Sequence, residues 1–206
     1  MKKIYLYLIV CLSPTLLIGC RSTPPPKHPN DICKIFTQYP SWYWSTKKSY
    51  KKWGIPISVQ MAIIREESHF RSEAEPARRK LFGVIPWFRP TTASGYTQAV
   101  DETWRRYIKS QGLLSGARDD FARAADFIGW YANLAHHELH ISRDNARNLY
   151  LAYHEGIDGY QERSYLQKKW LIRVADKVQH NAARYRIQLL QCERLLRREH
   201  WWHRIL

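Results

Sequence analysis

The stretch from Ile55 to Phe70, IPISVQMAIIREESHF, constrains the fold of this chain more than any other. Ile57, Val59, Met61, Ala62, Ile63 and Ile64 leave a helix here almost no polar face, and a helix apolar on all sides is stable only when other elements surround it. Pro56 suits the first turn, where its missing N–H is no loss. The rest of the chain must therefore be built around this segment. Its end is unusual, because two adjacent carboxyls, Glu66 and Glu67, close it. Burial disfavours a charged carboxyl, and so does the negative end of the helix dipole, so both raise its pKa. A carboxyl still protonated near neutrality can donate that proton to a leaving oxygen. Glu67 lies four residues after Ile63 and three after Ile64 and shares their face. Glu66 stands in the same relation to Ala62 and Ile63, so spacing alone does not choose between them. A solvated helix end is the plain alternative for both.

The chain has 206 residues, enough for one domain with a real core. DICKIFTQYPSWYWSTKKSYKKWG predicts short helices around Trp42, Trp44 and Trp53, ended by Gly54. GYTQAVDETWRRYIKSQG predicts a helix with Asp101 and Glu102 near its start, where acids suit a cap. RDDFARAADFIGWYANLAHHELH has an Asp cap and a stripe of Phe121, Ala125, Ile128 and Tyr131. SRDNARNLYLAYHEG predicts a helix capped by Ser142 and stopped at Gly156. The last long helix runs from about Tyr165 to Arg198. Between Arg71 and Ser94 there are three prolines and no periodicity, which predicts a long loop. No alternating strand pattern and no repeat stand out, so the fold class is mainly α with a long C-terminal helix.

Lys2 and Lys3 precede an apolar run from Ile4 to Ile18 that is interrupted by Pro14. This pattern fits a secretory signal and is too short for a good membrane span. It ends in LIGC, which resembles the bacterial lipobox, so Cys20 is the expected lipid attachment site. Arg21, rather than an Asp, favours the outer membrane over the inner by the same resemblance. The expected organisation is a lipoprotein signal peptide over 1–19, a Pro-rich linker over 20–30 that holds the domain off the membrane, and a folded domain over 31–206. The formal charge of +15 calls for an anionic partner. Export argues against nucleic acid and for the wall or lipid, with the domain facing the periplasm.

Of four cysteines, Cys11 leaves with the signal and Cys20 takes lipid. Cys33 and Cys192 remain, and an oxidising compartment permits a disulfide between them; two free buried thiols are the alternative. Cys192 shares a helical stripe with Leu171, Val174, Val178, Tyr185, Leu189 and Leu196. The spacing does not suit a metal site. His136 and His140 stand at i and i+4 without an evident third ligand, and nothing calls for a cofactor. Trp87 and Phe88 in the long loop are candidates for stacking on sugar or for packing. WWHRIL at the C-terminus suits a membrane surface or a frayed tail.

IPISVQMAIIREESHF resembles the catalytic helix of the soluble lytic transglycosylases and goose-type lysozymes, in which a Glu-Ser pair ends a buried helix. Glu67-Ser68 matches that pair. ASGYTQAVDETW is similar to the family's Gly-Leu-Met-Gln segment, with Gly95, Tyr96, Thr97 and Gln98 in its places. LAYHEG is similar to its Ala-Tyr-Asn-Ala-Gly, with Tyr153 on the tyrosine and His154 in place of the asparagine. The three motifs fall in the family's order between roughly Trp42 and Gly159. The resemblance implies a lysozyme-like domain with Glu67 as the catalytic acid. It implies that Ser68, Gly95, Tyr96, Gln98, Tyr153 and His154 bind substrate, and that the substrate is a peptidoglycan glycan strand. It further implies cleavage of the bond from N-acetylmuramic acid to N-acetylglucosamine, leaving a 1,6-anhydro end. A hydrolytic muramidase and an inactive wall-binding scaffold remain as alternatives. Protein partners are not indicated.

Overall fold

The computed structural model describes residues 23–76, 80–81, 85–86 and 91–202. The signal segment, Cys20, Trp87, Phe88 and the last four residues lie outside the described residues. The fold is mainly helical. Its helices are α1 (Ile32–Gln38), α2 (Pro40–Trp53), α3 (Ile57–Ser68), α4 (Asp101–Ser110), α5 (Phe121–Leu139), α6 (Ala146–Gln161) and α7 (Lys169–Trp202). A short 3₁₀ turn, Ser164–Gln167, precedes α7. The loop after α3 carries a small antiparallel pair, β1 (Lys80–Leu81) and β2 (Ile85–Pro86), too short to show as alternation in the sequence.

α3 is the central helix, and every residue from Ile57 to Ile64 is buried. It packs against α2, α5, α6 and α7, which is where a helix without a polar face has to be. Even Gln60 is enclosed, and its amide nitrogen donates to the Ile55 carbonyl at 2.8 Å. Pro56 is the residue before the helix rather than in its first turn. α2 stops where expected, with Gly54 at φ 76° and its N–H on the Tyr50 carbonyl at 2.8 Å.

The other helix ends match the sequence expectation only in part. Asp120 caps α5 as foreseen, accepting from the Ala122 N–H at 2.8 Å. α6 is capped by Asn145, which accepts from the Asn148 N–H at 3.0 Å; Ser142 donates to Asp144 instead. Gly156 does interrupt α6, at φ 81° and ψ 170°, but helix resumes beyond it. Residues 95–100 are a turn and not helix, with Ser94 and Ala99 paired across it.

Two constructions hold this frame. The first is an aromatic cluster in which Trp42 stacks on Phe121 at 3.9 Å, with Tyr96 edge-on to both and Phe70 tilted against Trp42. It ties α2 and α5 to the turn after α3 and to the turn before α4. The second joins the two ends of the domain. A disulfide links Cys33 of α1 to Cys192 of α7 across 159 residues; a native bond of this kind contributes about 2–5 kcal/mol. Beside it the Ile32 N–H donates to Gln188, and Gln188 donates to the Asn30 carbonyl.

The Pro-rich segment does not behave as a free spacer from Pro24 onward. The Tyr39 hydroxyl donates to the Pro24 carbonyl at 2.7 Å, the Lys27 N–H to Gln38 at 3.0 Å, and the Tyr185 hydroxyl to the Pro29 carbonyl. Pro26 is buried. The segment is strapped to the domain because neighbouring aromatic and amide side chains satisfy its carbonyls and amides.

Candidate active site

The last turn of α3 distributes its polar side chains to different neighbours. Arg65 turns to α7, donating to Asn181 at 3.1 Å. Glu66 also faces α7 and pairs with Lys177 at 2.9 Å. Glu67 points the other way, toward Tyr150 and Tyr153 of α6. The ambiguity between the two acids is thus resolved in space: one has a cation, the other lies among tyrosines.

Glu67 retains some accessible surface, as a group that must meet a substrate requires. Burial nevertheless pushes its carboxyl up from 4.5 to about 8. A hydrogen-bonding interaction with the Tyr150 hydroxyl acts against this rise, and the Glu66 charge adds to it. Near neutral pH the Glu67 carboxyl is therefore mostly protonated and can donate. The backbone leaves α3 abruptly here. His69 and Phe70 both take left-handed conformations, at φ 53° and 61°, which costs a non-glycine residue about 1–2 kcal/mol. Burial of Phe70 against Trp42 offsets that cost.

Tyr153 connects α6 to the turn at Gly95. Its hydroxyl donates to the Thr97 carbonyl at 2.6 Å, and its ring lies edge-on to Tyr131 at 5.1 Å. Burial first, and then the nearby Glu67 charge, hold its phenol well above the ordinary value. It is thus a neutral donor at any working pH. The turn itself needs a glycine: Gly95 has φ 72°, and a Cβ there would lie 2.4 Å from the Arg118 carbonyl oxygen. Gln98, also left-handed at φ 51°, closes the turn with its own amide, which donates to Ala74 and Gly95 carbonyls at 2.8 and 2.9 Å.

A family model described as a transglycosylase SLT domain matches residues 8–192. The chain belongs to that family. No curated protein and no solved structure matches it. The transglycosylase SLT domain carries transglycosylase-type chemistry on peptidoglycan, and in that general sense the chain is a transglycosylase-like enzyme with a lysozyme-like domain.

Within this SLT domain, the residues singled out in the sequence part company. Glu67 and Tyr153 come together, and Tyr153 brings the Gly95–Gln98 turn with it. Tyr96 is placed otherwise than expected: it is 1% exposed and belongs to the aromatic cluster, so its ring offers no face to a sugar. Ser68 is fully buried, and its hydroxyl donates back to the Ile64 carbonyl at 3.1 Å. His154 lies outside this group, exposed, bonded to Glu155 at 3.0 Å and edge-on to Trp170. Asp101 is paired with Arg118 at 2.7 Å, and that arginine also donates to the carbonyls of Thr92 and Ala99 and to Ser94. His136 donates to the Ile141 carbonyl at 2.7 Å, as a helix-end contact.

Two residues were not singled out by the sequence. Tyr150, on the Glu67 side of α6, looks like one more apolar-stripe aromatic, and only its spacing of three from Tyr153 could have flagged it. Arg118 stands just ahead of the Asp cap and the apolar stripe of α5 and gave no signal of its own. A groove of about 860 Å³ lies elsewhere, between α7 and the facing parts of α2 and α3, and none of Glu67, Tyr150 and Tyr153 lines it. It is open surface and does not contain the acid.

Proposed function

We propose that this protein is a lytic transglycosylase that cleaves the β-1,4 bond from N-acetylmuramic acid to N-acetylglucosamine and leaves a 1,6-anhydro end. The observation that carries this reading is the Glu67 carboxyl, turned toward Tyr150 and Tyr153 at the end of a helix buried from Ile57 to Ile64, where burial raises it to about 8. Protonated Glu67 gives its proton to the glycosidic oxygen as that bond breaks. The anomeric carbon takes on oxocarbenium character, which the substrate's own N-acetyl group can relieve. Tyr153 would orient or polarise that group. Glu67, now ionised, accepts the proton of the muramyl C6 hydroxyl while that oxygen closes onto the anomeric carbon. One carboxyl suffices for both transfers. Two other acids fit this account, since Glu66 beside Glu67 and Asp101 at the start of α4 are each held by a cation. Acylation of Cys20 would anchor the protein to the outer membrane with the domain in the periplasm.

The test is mass spectrometry of sacculi digested by the wild-type chain and by Glu67→Gln. Anhydro ends from the wild type and none from the variant are expected. Reducing ends would make it a muramidase, and release of nothing by the wild type would make it a wall-binding scaffold.

A further inference from the structure

We infer that the outward face of the C-terminal half of α7 is a docking surface for an anionic lipid bilayer. On the inward side of this helix Leu171, Ala175, Val178, Ala182, Tyr185 and Leu196 are buried. Ile187, Leu190, Arg194 and Arg198 follow one another at intervals of three and four away from that buried stripe, and Ile187, Leu190 and Arg186 also form the α7 wall of the open groove toward α2 and α3. Ile187 is 61% exposed, Leu190 76% and Leu195, on the flank, 55%. No other stretch of nine described residues leaves three large aliphatic side chains so far out in water. Arginines surround them. From residue 183 to 198 there are five arginines and one acid, and that acid, Glu193, is already engaged by Lys47 and Arg197. Arg186, Arg194 and Arg198 have no acidic partner among the described residues. Aliphatic side chains set among free arginines match the boundary between acyl chains and anionic headgroups. They do not match a glycan, which offers neither an apolar interior nor, for aliphatic groups, a stacking partner.

The start of the described chain adds a geometric reason. Pro24 is fixed on the domain by Tyr39, and Cys20 precedes it by only four residues. If Cys20 is acylated, as proposed above, a fully extended chain of that length reaches about 14 Å. So short a tether keeps the domain against the bilayer, and some face of it must meet headgroups. The charge and apolarity of the α7 face stand without that tether.

The experiment uses the chain from Arg21 to Leu206, which lacks the acyl anchor and keeps every described contact. It is sedimented with phosphatidylcholine vesicles with and without phosphatidylglycerol. Retention is expected only with the anionic lipid, and it should weaken as salt rises. Each arginine near such a surface contributes about a fivefold factor, so Arg186→Gln/Arg194→Gln/Arg198→Gln should weaken retention by about a hundredfold. Ile187→Ser/Leu190→Ser should weaken it by a factor that salt does not change. Circular dichroism and sacculus digestion should be unaltered in both variants. Equal retention of the variants and the wild type, or no retention on anionic vesicles, overturns the inference. So does loss of sacculus binding in the variants with vesicle binding intact, which would give the face to the wall. Release of the full chain from cell membranes on Cys20→Ser tests acylation separately, so the failure of one idea is not mistaken for that of the other.

Discussion

The end of α3 and the break in α6 each enclose a glutamate, with opposite results. Glu67 is pushed up to about 8, whereas Glu155 is held down near 2. Burial acts on both in the same direction, raising the pKa. The difference lies in the donors. Glu155 receives Lys168 at 2.8 and 3.0 Å, the Ser164 hydroxyl and the His154 ring, and together these outweigh burial. Glu67 has a neutral phenol in place of such donors, and the charge that acts on it is another carboxyl. A glutamate given a cation serves the fold, and one denied a cation can serve chemistry.

The sharpest way to break this contrast is Glu67→Gln. General acid catalysis is worth about 10²–10⁴-fold, so release of glycan from sacculi should fall by that factor or more. The same change should stabilise the protein. Unfolded Glu67 ionises around 4.5 while the folded carboxyl keeps its proton up to about 8. The folded state therefore binds the extra proton between those values, and wild-type stability declines as pH rises across that window. Thermal melts should show the variant gaining on the wild type from pH 4.5 upward. The gain should reach roughly 2–4 kcal/mol near pH 8. A variant that is inactive but not stabilised would mean that Glu67 is solvated.

Glu155→Gln should show the reverse pattern, with digestion changed by less than about threefold and stability lowered by about 1–3 kcal/mol. The loss is modest because Lys168 remains in contact with water. Here the sign is opposite. The folded pKa lies below 4.5, so the stabilisation is present above 4.5 and disappears as pH falls toward 2. Melts of the wild type and variant should converge on acidification. A persistent gap at low pH would place the stabilisation in packing instead of charge.

Much of this contrast could not be read along the chain. The central helix was legible because a segment without a polar face has one possible environment. The SLT-type motifs marked Glu67 and Tyr153 in order, but a motif gives a position and not the direction of a side chain. Tyr96 and Ser68 were thus expected at the substrate, while the fold spends them on the aromatic cluster and on an intrahelical bond. Spacing alone could not tell Glu66 and Glu67 apart, because the cation that holds Glu66, Lys177, lies 111 residues away. The Pro-rich segment looked like a spacer because nothing local shows that Tyr39 and Tyr185 will hold it. Asn145 displaced Ser142 as the α6 cap because several candidate caps adjoin one another in SRDNA, and only the backbone chooses.

Tyr150→Phe sharpens the comparison from the Glu67 side. The hydroxyl lowers the Glu67 pKa by bonding to the ionised carboxyl, so its removal should raise that pKa further. The rate of digestion falls as pH rises through the pKa of the acid, and in the variant that alkaline fall should move to higher pH. Circular dichroism should be unchanged, since the ring keeps its packing. An alkaline limb that stays in place would mean that the phenol does not reach the carboxylate.

Glu66→Gln is the smallest change and moves the same limb the other way. The Glu66 charge is the last of the causes that raise the Glu67 pKa, and it is partly neutralised by Lys177 at 2.9 Å. Removing the charge eases ionisation of Glu67 directly, and it also leaves the Lys177 ammonium without its partner and freer to favour a second negative charge nearby. Both effects lower the pKa, so the alkaline fall in rate should shift to lower pH, by less than Tyr150→Phe shifts it upward. Loss of the exposed Lys177 pair should cost at most about 1 kcal/mol, and activity at mildly acid pH should be retained. The double variant should fall between the two single ones if both act through the one carboxyl. A Glu66→Gln protein with no activity at any pH would exchange the roles of the two acids, and the contrast would have to be rebuilt around a carboxylate that already has its cation.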